Sequence, residues 1–167
     1  KDVKAGRTLE ALYLAPLRER VRKNGGRVYR GGPTVILLVD VKTEAEATYA
    51  ALDAVLKTYA EMLTRFADGA MQPGAITVIV SGNRARTTMA AQAVRYAALD
   101  GRIEDLTGSA AGNAGPALIP LVSDNWEKVF GWKWTGPMPA EVAAKMRTLV
   151  AQAHARGQLI RFWKTPD

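Results

Sequence analysis

One pattern dominates the chain and limits its fold: short apolar runs that each stop at a polar tag, with amphipathic stretches between them. The runs are Val35–Val39, Ala75–Ser81, Val94–Leu99, Ala117–Ser123 and Gln158–Trp163. Continuous apolar residues without alternation predict strands buried on both faces. Between them, Leu52, Val55, Leu56, Tyr59, Leu63 and Phe66 recur at three- and four-residue steps. That stripe predicts one helix of about six turns, opened by Thr43 as N-cap with Glu46 as its N3 partner. The stretch Asp68–Gly74 ends it, and a short helix is expected around Arg86–Ala93. A later helix has Pro139 near N1, the stripe Val142, Met146, Leu149, Val150 and Ala153, and Gly157 at C′. The front segment from Thr8 is also helical, restarting at Pro16 and closing at Gly25–Gly26.

Strands alternating with helices predict a parallel sheet, whose active groups gather at the carboxyl ends of the strands. Those ends read Asp40-Val41-Lys42, Ser81-Gly82-Asn83-Arg84, Asp100-Gly101-Arg102, Ser123-Asp124-Asn125-Trp126 and Trp163-Lys164-Thr165. Residues two apart on a strand face the same way, so Asp40 and Lys42 are expected to share one site. At 167 residues the chain is read as a single α/β domain, residues 1–167. Five strands fit a complete flavodoxin-like open sheet, and they also fit part of a (β/α)8 barrel.

The charge balance narrows the partners. Lys and Arg outnumber Asp and Glu by 23 to 16, a net +7, which suits an anionic partner. The basic residues are dispersed, and no aromatic RNA-binding motif accompanies them, so no nucleic acid is expected. The absence of cysteine excludes a disulfide, a thiol nucleophile and a thiolate metal site. No apolar run is long enough to span a bilayer, and the sequence as given opens at Lys1 without a leader pattern.

The strand-end tags carry a resemblance. "LLVDVKT" (Leu37–Thr43) with "RFWKTPD" (Arg161–Asp167) resembles the phosphatidylinositol-specific phospholipase C-like phosphodiesterases. That superfamily includes the glycerophosphodiester phosphodiesterases and the spider-venom-type phospholipases D. "TLEALYLAPLRERV", "SGNR" and "LIPLVSDNW" extend the resemblance over most of the chain, towards a bacterial and fungal phosphoinositide phospholipase C-like branch. It implies an incomplete TIM-type (β/α)8 barrel, strands three to seven of a longer parent, rather than the flavodoxin-like alternative. It further implies a metal-dependent hydrolase or lyase acting on phosphodiesters such as glycerophosphodiesters or phosphoinositides, in lipid metabolism. Asp40 would be a ligand of a divalent cation, Mg2+ or Ca2+, and Lys42 would contact the substrate phosphate. Trp163 would line the substrate pocket.

A phosphodiester gains negative charge at its transition state, and a hard cation plus a lysine ammonium suits that charge. Arg84 and the backbone amides of the Ser81–Arg84 turn, Asn83 among them, could meet a phosphate, and Asp124 could support the site by hydrogen bonding. Each has a bland reading beside it: Asp40 as a strand-end acid paired with Lys42, Trp163 as core, Ser81–Arg84 as a turn and cap. Asp100 and Arg102 are read as structural.

The departures from the superfamily are as informative. Its acid–base pair is two histidines, whereas this chain has one, His154, read as lying in the penultimate helix and far in sequence from any strand end. His154 is read as a solvated or capping residue. The chain alone is therefore expected to be inactive, or to be a non-catalytic module binding a phosphate-bearing ligand. Trp126, Phe130, Trp132 and Trp134 form either a lipid-facing lid or a satellite core under a loop. Gly108–Pro116 reads as a loop without dinucleotide-binding spacing. A small phosphodiester or phospholipid headgroup is the expected partner, with peripheral membrane contact and self-association through exposed sheet edges as further expectations. The resemblance leans towards a secreted or periplasmic protein.

Overall fold

The computed structural model describes residues 6–108, 114–133 and 135–165. Among the described residues eight strands are interspersed with helices: β1 (Val35–Val41), β2 (Arg65–Ala67), β3 (Ala70–Gln72), β4 (Ile76–Gly82), β5 (Val94–Arg95), β6 (Ala97–Gly101), β7 (Leu121–Asn125) and β8 (Leu159–Trp163). The helices are α1 (Ala15–Lys23), α2 (Ala45–Lys57), α3 (Arg86–Ala91), α4 (Ile103–Thr107), α5 (Trp126–Phe130) and α6 (Ala140–Ala155). The main sheet runs β1-β4-β6-β7-β8, with β1–β4, β6–β7 and β7–β8 all parallel. Each new strand is added beside the previous one, always in the same direction across the sheet. A flavodoxin-like sheet reverses its strand order partway, and this one does not. The fold is therefore the α/β incomplete barrel, and the open-sheet alternative is set aside.

The chain divides into two compact units, residues 1–98 and 99–167. In the first, β4 is buried from Ile76 to Ser81. Leu14, Leu52, Leu56, Met62, Phe66 and Met89 also lie in its core. In contrast to the expectation of burial on both faces, β1 is mostly half-exposed, with Ile36 40% accessible. It ends the sheet order and has one neighbour, which accounts for the difference. β8, at the other end of the order, is also partly exposed, with Leu159 at 51%.

Several element boundaries correct the sequence reading. The long helix stops at Lys57, well short of Phe66. Thr58 caps it, its hydroxyl and its N–H both donating to the Val55 carbonyl at 2.8 and 3.0 Å. Phe66 belongs instead to β2, which forms an antiparallel hairpin with β3, Ala67 facing Ala70. The two residues between them, Asp68 and Gly69, have φ of 54° and 70°, the geometry an Asp-Gly hairpin turn requires. The expected Val94–Leu99 strand is two strands: β5 pairs antiparallel with β2, and β6 enters the main sheet. Ala117–Ser123 is shifted, because β7 begins at Leu121, after Pro120. The front helix does not restart at Pro16. It runs through, with Glu10–Leu14 wound as a π-helix just before, a widened turn that accommodates proline's missing donor and ring.

The helix start after β1 also differs from the expected capping box. Glu44, not Thr43, is the N-cap, its carboxylate accepting from the Glu46 and Ala47 amides at 2.8 and 2.7 Å. Thr43 instead bonds the Thr48 hydroxyl at 2.6 Å. The amides that Glu44 accepts hold its carboxyl below its ordinary pKa. A depressed folded-state pKa stabilises above the unfolded-state value, and the contribution is lost as pH falls through the folded value. Glu44→Gln should therefore be less stable than the parent at neutral pH. The gap between their urea midpoints should close as the solution is acidified.

In the second unit, Leu99, Leu106, Ile119, Val122, Leu149 and Ala153 are buried. Helix α6 ends as expected: Gly157 at φ 68° donates to His154 O at 2.9 Å, and Gln158 N donates to Ala153 O at 2.9 Å, a Schellman pair. Pro139 is its N-cap, one position before the N1 expected. His154 is exposed near the helix end. Helix α5, unforeseen, is capped by Asn125, which accepts from Lys128 N at 3.2 Å. It carries Trp126 (4% exposed) and Phe130 onto Phe162, with ring centroids 5.7 and 5.0 Å away. The described part of the aromatic cluster is thus a satellite core. Trp134 and residues 109–113 of the expected loop lie outside the described residues.

Candidate functional site

In the first unit, the candidate residues meet where β1 and β4 end side by side, Asp40 facing Ser81 and Val41 facing Gly82 in register. Beyond that register the β4 end folds over the β1 end. Asn83 N donates to Val41 O at 2.9 Å, and Asn83 Nδ2 donates to Thr43 O at 2.8 Å. Gly82 makes the crossing possible. Its φ is 71°, and a Cβ there would stand 2.2 Å from Val41 O and 2.5 Å from Asp40 Oδ1. Only a residue without a side chain fits.

Lys42 extends back along the strand, and its Nζ meets both Asp40 oxygens, at 2.9 Å (Oδ1) and 2.7 Å (Oδ2). The shared orientation expected from their spacing is what the structure has. Both side chains are open to solvent, at 77% and 52%, and an exposed pair of this kind adds about 0–1 kcal/mol to stability. Arg84 lies half-buried in the turn leading to α3, its carbonyl accepting from Arg86 N at 2.9 Å.

In the second unit, the polar residues at the ends of β6, β7 and β8 form a denser group. Asp100 is 1% exposed and accepts Ser123 Oγ at 2.5 Å and an Arg102 guanidinium nitrogen at 2.8 Å. That same nitrogen donates to Gly101 O at 2.8 Å and to Ser123 O at 3.4 Å. The guanidinium carbon lies 5.1 Å from the Trp163 ring centroid, within cation–π range. Trp163 ends β8 opposite Asn125 and is half-buried. Asp124 is 3% exposed, and its carboxylate accepts Asn125 N at 2.8 Å and Ile103 N at 3.3 Å. It ties β7 to the start of α4.

The structure thus gathers Asp40, Lys42 and Asn83 in one unit, with Arg84 in the turn beside them. In the other, Trp163 stands near Arg102, which with Asp100 was read as structural, and Arg102 reaches Ser123 of the Ser123–Trp126 strand end. Asp100-Gly101-Arg102 repeats the acid-x-base spacing of Asp40-Val41-Lys42 at another strand end, here as a buried pair.

Residues 19–100 match the model of the AIM6-like phosphodiesterase domain family. This stretch is phosphodiesterase-like. The AIM6-like match spans just under half the chain, from α1 into β6, and contains Asp40, Lys42, Asn83, Arg84 and Asp100. Arg102, Asp124 and Trp163 lie beyond it. No curated protein and no solved structure matched the chain.

A divalent cation asks for six or more oxygen ligands. Among the described residues no group of three or more His, Asp or Glu side chains is disposed to hold one. Asp40 would give such an ion a single carboxylate, so these residues do not by themselves form a cation site. Among the described residues no helix is long and apolar enough to cross a membrane.

Proposed function

We propose that the chain is a segment of a phosphodiesterase that binds a phosphodiester, of the glycerophosphodiester or phosphoinositide kind, at the carboxyl ends of its strands. The observation carrying this reading is the solvent-open Asp40–Lys42 pair inside the stretch that matches a phosphodiesterase domain. Lys42 is free to swing from Asp40 to a phosphate oxygen, exchanging one charge-assisted hydrogen bond for another. Asp40 keeps the ammonium aimed at the strand ends until the ligand arrives. Asn83 and Arg84 stand in the adjacent turn, where further donors to a phosphate would be useful.

Binding without turnover is the activity expected of this chain alone. Proton transfer at a departing alkoxide needs an acid or base of suitable pKa within reach. The one histidine, His154, is exposed on α6 rather than at a strand end. Calorimetric titration with glycerophosphoinositol tests the Lys42 role: Lys42→Ala should weaken binding roughly tenfold, the worth of one charge-assisted hydrogen bond. Unchanged affinity in that variant would remove Lys42 from the site.

A further inference from the structure

We propose that α1 and the turn after it, carrying Arg20, Lys23, Tyr29 and Arg30, form a docking surface for an anionic lipid membrane. The surface lies wholly within the first unit, and it goes beyond the phosphodiester reading without depending on it.

The chain's positive charge is concentrated there. Residues 18–30 hold six basic side chains and one acidic one, leaving 17 to 15 of the chain's 23 to 16 for all other residues. Most of the net +7 thus comes from one short segment. Two of the six basic groups are drawn inward. The Arg18 guanidinium lies 4.5 Å from the Tyr59 ring centroid, and Arg27 donates to Thr34 Oγ1 at 3.2 Å and Gly74 O at 3.4 Å. The other four, Arg20, Arg22, Lys23 and Arg30, are exposed. The single acid, Glu19, is paired with Arg22 at 3.2 Å, so Arg20, Lys23 and Arg30 set the sign of the surface. Pro16, Arg20, Lys23 and Asn24, at helical three- and four-residue steps, border one open hollow.

The turn is held in place from beneath. Asn24 Nδ2 and Arg20 Nε both donate to Val28 O, at 2.7 and 3.1 Å, and Val28 itself is buried. That anchor sets Tyr29, 57% exposed, against the Arg20 guanidinium, whose carbon is 5.1 Å from the ring centroid. Leu12 and Tyr13, in the turn before Pro16, are exposed as well. Basic groups interleaved with exposed tyrosine and leucine suit a bilayer surface. The cations meet anionic headgroups, and tyrosine's apolar body and polar tip favour headgroup depth. A nucleic acid fits less well. Arg20 covers one face of Tyr29, which a base-stacking platform needs open, and Leu12 adds nothing to a phosphate contact.

Sedimentation of the whole chain tests the surface, with vesicles of phosphatidylcholine alone and of phosphatidylcholine and phosphatidylserine in equal parts. The chain should pellet with the mixed vesicles and stay in solution with the neutral ones, and added salt should release it. Lys23→Gln with Arg30→Gln should weaken binding to the mixed vesicles by about twentyfold, the product of two basic residues at an anionic surface. Lys133→Gln with Arg147→Gln removes the same charge from exposed positions of the second unit and should bind as the parent does. Circular dichroism checks that both variants are folded. Equal loss in the two variants would make net charge the cause and overturn the assignment, as would a parent that ignores the mixed vesicles. Lys42→Ala should also bind as the parent does, and a loss there would overturn the assignment by moving the lipid contact to the strand ends. A duplex DNA oligonucleotide that strips the parent from the vesicles at the same salt would make the partner a nucleic acid instead.

Discussion

Replacing Gly82 with alanine should lower the unfolding free energy by about 3 kcal/mol, the upper part of the range for a non-glycine residue forced into a strained backbone. Two penalties combine there. The φ of 71° disfavours any side chain, and the new Cβ would press on Val41 O and Asp40 Oδ1 at 2.2 and 2.5 Å. Val41 O is backbone, already accepting Asn83 N, so it cannot move aside as a flexible side chain would. The variant can relieve the contact only by lifting the Gly82–Asn83 turn away from β1, which displaces Asp40. Denaturant unfolding should show the loss of stability, and amide shifts at Asp40–Thr43 should show the displacement. A variant as stable as the parent would mean that β4 does not cross β1 as described.

The buried pair of the second unit should respond as strongly, and in a diagnostic way. Arg102→Met leaves the Asp100 carboxylate, 1% exposed, with the Ser123 hydroxyl but without its guanidinium. Stranding a buried charge typically costs about 3–5 kcal/mol. Arg102 is 24% exposed, so water relieves part of the demand and a loss near about 3 kcal/mol is expected. Asp100→Asn added to Arg102→Met should recover most of it, because an amide tolerates burial where a carboxylate does not. If the double variant were no more stable than the single one, the ion pair would not be what holds these strand ends.

The two Asp-x-basic tags show how far the sequence could be read. Spacing alone placed Asp40 and Lys42 on one side of a strand, and the structure joins them through both carboxylate oxygens. The same spacing in Asp100 and Arg102 yields a pair that is 1% and 24% exposed. The difference comes from sheet position. β1 ends the strand order with one neighbour, whereas β6 lies between β4 and β7, and nothing local in the sequence encodes that order.

Elements with strong local chemistry were legible: β4 from its unbroken apolar run, and α6 from Pro139 and Gly157. The stripe from Leu52 to Phe66 misled because its three- and four-residue steps continue past the helix end. Thr58 terminates the helix locally, and the Asp68-Gly69 turn then draws Phe66 into a hairpin. Leu63 and Phe66 are still buried, so the stripe located the core correctly while misassigning the backbone that delivers it. Arg102, read as structural from sequence, forms a buried pair with Asp100, but its further bond to Ser123 O, on another strand, could not be read locally.

On the proposed function, this chain holds a phosphodiester at its strand ends without cleaving it. The most direct measurement is 31P NMR of glycerophosphoinositol mixed with the protein, with and without Mg2+. A broadened or shifted diester resonance, reduced in Lys42→Ala, is expected, with no phosphomonoester signal on prolonged incubation. A diester line unaffected by the protein, or a growing monoester resonance that tracks protein concentration, would contradict it.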